Sequence, residues 1–213
     1  MTTAQALFSL RNLLNESSAG FFTENQCYDF LSRGQDDVVS TLIQKWRQTN
    51  DTPLMYFPKA LDPLITITDV AFSGTSNVMS LSSYTTLIEI FHAEYYKTAA
   101  TTRLVLTRLP LGELLKAKAN TYSGTGATQT YWATYGTSLL ISQDLAPNAD
   151  YTGVKIHYWV SPTQVASGQE IQISDEAHPA IIKLAMFYAL TQDGQHSKAH
   201  QYLQEGLKFT TNL

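Results

Sequence analysis

A chain of 213 residues is long enough for one large domain or two small ones, and a hydrophobic content of 44% excludes disorder and collagen-like repetition. Charged residues make up 15%, against about a quarter in an ordinary globular protein, so Thr, Ser, Asn and Gln carry much of the surface polarity. The net charge of −4 gives no basic footprint for gripping nucleic acid or an anionic bilayer, and leaves open a protein that surrounds DNA without sticking to it.

A first helix is predicted over Ala4–Asn15, with Thr3 as its cap. Leu7, Leu10 and Leu14 share one face, Phe8 and Leu13 lie beside it, and the polar cluster Asn15–Gly20 ends it. Arg11 and Asn12 interrupt the Leu7–Leu14 stretch and no basic segment precedes it, so no secretory signal is expected. The second helix opens on a capping box, Thr23-Glu24-Asn25-Gln26, in which the Thr23 hydroxyl takes the Gln26 amide proton and the Gln26 side chain reaches back. From there Cys27, Phe30, Leu31, Gly34, Val38, Leu42 and Trp46 recur every three or four residues as one face. Asp29, Ser32, Arg33, Gln35, Asp36 and Gln44 take the other side, and the helix ends near Gln48, before Asn50-Asp51-Thr52-Pro53. Cys27, the lone cysteine, reads as core within this stripe and leaves no intrachain disulfide.

After Pro63 the period falls to two. Leu64–Phe72, Leu87–Tyr95 and Arg103–Leu109 are rich in β-branched and aromatic residues and read as strands. A short helix is expected at Leu111–Ala119, then a Gly/Ser/Thr loop at Thr121–Gly126, the segment expected to be most mobile. Gln129–Thr134 and Ser138–Ser142 flank Tyr135-Gly136-Thr137 as a hairpin. Past the turn Ala146–Asp150, Tyr151–Val160 puts Val154, Ile156, Tyr158 and Val160 on one face and Lys155, His157 and Trp159 on the other, completing a half-buried antiparallel meander.

Helix returns after Ser174-Asp175, with Pro179 in the first turn, where a missing N–H is harmless. Ile181–Leu190 is apolar on nearly every side except Lys183, which places it at the centre of a helical assembly. The longest apolar run, Ala180–Leu190, falls short of the roughly 20 residues a membrane span needs. Asp193-Gly194 stops the helix, and a last one from Ser197 to Lys208 places Ala199, Tyr202, Leu203 and Gly206 on one face. Helices this short do not bury their apolar faces alone. The predicted class is therefore α+β: a helical bundle formed by N- and C-terminal helices (residues 1–55 and 174–213), interrupted by a β-rich antiparallel insert (56–173).

Residues with chemistry on offer make no familiar catalytic pattern. His196 and His200 could face one metal ion from adjacent turns, which would allow a small metal-dependent hydrolase, but no Glu stands where H-E-x-x-H would need it and a solvated helix face is the better reading. Asp175, Glu176 and His178 could do acid–base work, or could simply complement a helix dipole. His92 and His157 fall in strands and read as packed or exposed side chains. Ser123-Gly124-Thr125-Gly126 lacks the lysine and helix of a phosphate loop. Trp132, Trp159 and the many tyrosines could form a sugar platform or cross-strand core pairs. No enzyme activity, cofactor or metal is expected.

Several segments taken in order carry a resemblance. Phe21-Phe22-Thr23-Glu24 opens a helix with Tyr28-x-Phe30-Leu31 and Gly34-Gln35-x-Asp37. Tyr131-Trp132, Tyr135-Gly136, Leu139-Leu140-Ile141 and Val154-Lys155-Ile156-His157-Tyr158 follow, then His178-Pro179, Tyr188-Ala189-Leu190 and Ala199-x-x-Tyr202. The order resembles the head–tail adaptor (connector) proteins of tailed bacteriophages, which carry a β-rich insert in a helical bundle. The resemblance implies a structural virion protein at the head–tail junction, assembled in the host cytoplasm. It would form a homo-oligomeric ring, usually of twelve copies, between the portal protein and a tail or nozzle protein. Genomic DNA would pass through without specific binding, and no membrane would be involved. Leu207, Phe209 and Leu213 stay apolar beyond Gly206. Read plainly they are a frayed terminus; under the resemblance they are a segment that orders against the portal. The alternative is a β-rich carbohydrate- or receptor-binding module of a virion or cell surface.

Overall fold

The computed structural model describes residues 1–16, 20–49, 57–72, 78–97, 100–119, 130–142 and 153–213. The chain is mixed α and β, with helices at both ends and antiparallel sheets in the middle. It divides into two compact units, one made of Met1–Leu64 with Ser161–Leu213 and the other of Ile65–Val160. Residues 57–64 and 161–173, expected in the insert, thus belong with the helices: Ser174 N–H donates to the Ala60 carbonyl, tying the short 3-10 helix Lys59–Leu64 to the chain that leads into the C-terminal helices.

In the helical unit, α1 runs Thr3–Leu13. Its cap is Thr2, one residue earlier than expected, because Gln5 completes a capping box with Thr2. Leu10 is fully buried, but Phe8, expected near the apolar face, is 67% exposed. Asn15, with φ of 58°, turns the chain out of the helix. α2 spans Glu24–Thr49, about 39 Å at 1.5 Å per residue. Its capping box forms as the residue types require: Gln26 N–H to Thr23 Oγ1 at 3.3 Å and Thr23 N–H to Gln26 Oε1 at 2.8 Å.

α4 (His178–Gln192) follows the 3-10 turn Asp175–Ala177 and packs against α1, α2 and α5 (His196–Thr211). Neighbours on three sides explain why Ile181, Leu184, Ala185, Met186, Ala189 and Leu190 are all buried and no polar stripe survives. Two glycines let the helices approach. A Cβ at Gly34 on α2 would lie 2.6 Å from the Ile181 carbonyl oxygen, and one at Gly206 on α5 would lie 2.8 Å from Leu184 Cγ. Gly194, at φ of 77°, makes the tight α4–α5 turn.

The second unit holds two four-stranded sheets. The first has the order β1 (Ile65–Ala71), β8 (Gly153–Val160), β3 (Leu87–Lys97), β4 (Ala100–Val105), antiparallel throughout. The second has the order β2 (Val78–Ser80), β7 (Ser138–Ile141), β6 (Tyr131–Tyr135), β5 (Thr107–Arg108), with β5 and β6 parallel. The β6–β7 hairpin forms as expected around Gly136, whose φ is 55°. It does not continue into β8, however, so the expected meander is replaced by two sheets. The reason is pairing at long range: β8 lies between β1 and β3, more than 50 residues away in sequence, and is covered on both edges. Val70, Ile90, Tyr95, Val154, Ile156 and Tyr158 of the first sheet meet Met79, Trp132, Leu139 and Ile141 of the second in one core. α3 (Leu111–Ala119) packs on β6 and coincides with the expected short helix. The loop expected at Thr121–Gly126 and the turn expected at Ala146–Asp150 lie outside the described residues.

Candidate functional site

Three of the residues that carry the resemblance, Gly34 and Asp37 of α2 and Tyr188 of α4, meet at the α2–α4 contact. Gly34 admits the α4 backbone. Asp37, one turn on, accepts a hydrogen bond from the Tyr188 hydroxyl at 2.6 Å, and the Arg33 guanidinium lies 5.6 Å from the centre of the Tyr188 ring. Burial, and then the Asp37 carboxylate, push the Tyr188 hydroxyl pKa well above its ordinary value. Between Gly34 and Asp37, Gln35 is buried, not solvated as its polarity suggested. It donates to the Thr163 carbonyl at 3.1 Å and accepts from Gln172 N–H at 3.3 Å. Ser32, also expected on the polar side, accepts from Val165 N–H at 2.8 Å and donates to the Tyr28 carbonyl at 2.9 Å. Two polar side chains of α2 thus satisfy the backbone of an irregular strap, residues 161–173. On α5, Lys183 of α4 lies 4.8 Å from the Tyr202 ring and pairs with Glu205 at 2.7 Å, while Ala199 is buried. All of these are framework contacts.

Of the three residues expected in a docking role, Leu207 and Phe209 lie in the last turns of α5 and Leu213 follows its cap. The helix does not fade after Gly206 but continues to Thr211, because Thr210 is fully buried and donates to the Gly206 carbonyl at 2.9 Å. Lys45 of α2 donates to the Thr211 carbonyl at 2.7 Å, closing the last turn. Gly206 and Thr210 form the seam that faces inward. At about 100° per residue, Leu207 and Phe209 fall on opposite flanks of this seam, and Leu213 prolongs it. Leu207 is 38% and Phe209 48% exposed, with Lys208 exposed between them and Leu213 half-buried. Apolar side chains presented on an ordered helix end need little further ordering when a partner covers them.

A second cluster lies where the N-terminus meets α4. The Met1 ammonium donates to Asp175 Oδ1 at 2.8 Å, and the same oxygen is 3.2 Å from His178 Nδ1. His178 Nε2 lies 3.0 Å from the Ile173 carbonyl oxygen, so both ring nitrogens of this 4%-exposed histidine face acceptors. Burial, and then the Met1 ammonium, push the His178 pKa down; the Ile173 carbonyl and Asp175 oppose them. The Met1 ammonium also holds the Asp175 carboxyl below its ordinary range. Asp175 and His178 therefore meet, and Glu176 is exposed. The contacts serve to anchor the terminus. The cluster borders a shallow groove of α1 and α4 residues that includes Phe8, Pro179 and Ile182. Composition gave no sign of Met1 as the partner of Asp175.

The other candidates separate. His196 and His200 are exposed, with His200 Nε2 3.0 Å from Gln204 Nε2. Among the described residues no group of three or more His, Cys, Asp or Glu side chains could hold a metal ion. His92 and His157 pair across β3 and β8 with rings 4.9 Å apart, and His92 Nε2 is 3.7 Å from Glu94 Oε2. Cys27 is buried and its thiol pKa is raised by that burial. Trp132 and Trp159 are both 0% exposed, which removes them from any sugar platform. Trp132 lies under the Arg108 guanidinium, which also pairs with buried Glu89, and Trp159 packs on Phe91 at 4.6 Å. Trp159 was expected on the more open face of β8. Among the described residues no helix is long and apolar enough to cross a membrane.

No protein-family model matches the chain, and no curated protein shows significant sequence similarity to it.

Proposed function

We propose that this chain is a structural virion protein, a head–tail adaptor that forms a ring between the portal protein and a tail or nozzle protein and surrounds the DNA channel. Its terminal helices act as one bundle, and the β-rich unit is inserted between them in the sequence. The observation that carries the reading is that Gly34 and Asp37 of α2 both meet α4, Asp37 through Tyr188, 151 positions after it, while Gln35 between them holds the strap at Thr163 and Gln172. These residues are among those that carry the resemblance, and each has a framework task within the helical unit. The end of α5 supplies the docking element: Leu207 and Phe209 flank a seam held rigid by Thr210 and Lys45. The carbohydrate-binding alternative loses its two largest aromatic platforms with Trp132 and Trp159 inside the protein.

Electron microscopy of the protein mixed with its portal tests the reading. The expected result is a ring with a central hole seated on the portal. Leu207→Asp with Phe209→Asp should abolish attachment while circular dichroism and the melting temperature stay close to those of the parent. Normal tailed particles from that variant would reject the docking role, and a monomer bound to glycan would reject the adaptor reading altogether.

A further inference from the structure

The buried seam of α5 fixes where its last side chains point. Lys208 lies roughly 180° around the helix from the middle of the seam between Gly206 and Thr210, at the outward crest, with Leu207 on one flank and Phe209 on the other. All three side chains are exposed. Lys208 is the one charged side chain of residues 206–213. The preceding acid, Glu205, is engaged by Lys183 of α4 at 2.7 Å. Among the described residues no carboxylate pairs with Lys208. In a chain with a net charge of −4, the docking end therefore presents a cation between two apolar side chains.

We propose that the surface receiving the end of α5 is a protein groove with apolar walls and a carboxylate at its floor. The proposal rests on the docking role given above to Leu207 and Phe209, and it names the chemistry of their partner. Because Lys208 stands between them, a groove that covers both flanks also covers the ammonium. An apolar floor would strip water from that charge and return nothing, and a buried charge without a partner is strongly unfavourable. A basic floor would add repulsion. An Asp or Glu side chain meets the need, and between apolar walls the pair attracts more strongly than on an open surface. The methylene stem of Lys208 adds apolar area to the same contact. A nucleic-acid backbone offers the negative charge but no apolar walls for Leu207 and Phe209, so the occupant is a protein. The bland role of Lys208 is to complement the carbonyl end of its own helix, which acts on stability and leaves attachment untouched.

The test uses the full chain and its portal. Affinity is measured over a range of salt concentrations for the parent, Lys208→Gln and Lys208→Glu, with the melting temperature of each recorded alongside. Lys208→Gln should weaken binding about tenfold or more, and Lys208→Glu about a hundredfold or more, as expected for removing or reversing one member of a covered charge pair. The parent should lose affinity with added salt more steeply than Lys208→Gln. Second-site revertants of particles carrying Lys208→Glu should replace an Asp or Glu of the portal by a neutral or basic residue. Unchanged affinity in Lys208→Glu, where Leu207→Asp with Phe209→Asp abolishes binding, would overturn the acidic groove and leave the docking role standing. A lower melting temperature with attachment intact would confine Lys208 to its own helix end and overturn the proposal equally. Weakened binding of duplex DNA by Lys208→Glu, with portal binding intact, would overturn it in favour of nucleic acid. Absence of portal binding by the parent would reject the adaptor reading and this proposal with it.

Discussion

The hydroxyl of Tyr188 on α4 donates to Asp37 on α2 at 2.6 Å, joining two helices that lie 151 positions apart in the chain. Tyr188→Phe should leave the Asp37 carboxylate without this donor. A hydrogen bond to a charged group at a half-buried site contributes about 1–2 kcal/mol. Urea unfolding should show a lower midpoint with an unchanged slope. An unchanged midpoint would mean that solvent replaces the tyrosine at no loss.

Gly34 and Gly206 should respond differently to the same added methyl. At Gly34 the new Cβ meets backbone, the Ile181 carbonyl at 2.6 Å, and the helices have to separate. Overpacking of about 1–3 kcal/mol should outweigh the roughly 1 kcal/mol that alanine gains in a helix. At Gly206 the obstacle is the Leu184 side chain, which can change rotamer. Gly206→Ala should therefore cost less than Gly34→Ala. Combining it with Leu184→Ala should cost less than the two single changes added together. Equal losses at the two glycines would refute the backbone argument.

If the terminal helices are one cooperative bundle, a charge in the middle of α4 should release α2. Met186 is buried, and Met186→Asp places an unpaired carboxylate there, at several kcal/mol out of a typical 5–15. Amide hydrogen exchange should then show lost protection across Cys27–Trp46. Full protection in that segment would argue that α2 is stable without α4.

Stability should fall as pH drops below about 6.5, and His178 should account for a measurable part of the fall. The folded chain resists protonating this histidine, whose pKa lies below its ordinary value of 6.5, whereas the unfolded chain does not. Its contribution is complete above the unfolded value and is lost as pH falls toward the folded one. Asp175, with its pKa held below 3.8, acts in a separate and more acidic window. Melting temperatures measured from pH 7 to pH 5 should decline less steeply in His178→Gln than in the parent. Parallel curves would show that other groups govern the acid limb.

Duplex DNA should bind weakly at physiological salt, with a Kd no tighter than about 10 μM, because a net charge of −4 offers few phosphate partners. Nanomolar affinity with steep salt dependence in a filter-binding or anisotropy titration would point to a DNA-gripping role.

Local signals were readable in the sequence. The Thr23–Gln26 capping box, the apolar stripe of α2, the Pro179 helix start and the hairpin around Gly136 each depend on residues a few positions apart. Misreadings arose where the partner is distant. Ser32 and Gln35 are polar, and their burial becomes intelligible only with the strap at Thr163, Val165 and Gln172 beside them. β8 looked like the third strand of a meander because nothing local records that β1 and β3 claim both of its edges. At the candidate docking site the apolar residues were legible, but the continued helix was not. Its last turn depends on Thr210 burying itself and on Lys45, 166 positions away from Thr211.

A helical unit assembled from both ends of the chain also has a timing problem during synthesis. When α2 leaves the ribosome, α4 and α5 do not yet exist, and roughly 150 residues must be translated before Gly206 appears. At about 5–20 residues per second this leaves the stripe from Cys27 to Trp46 uncovered for about 10–30 s. Nascent chains of this protein should accordingly engage holding chaperones until the ribosome reaches α5, and a circular permutant that synthesises α4 and α5 ahead of α1 and α2 should be released from them sooner.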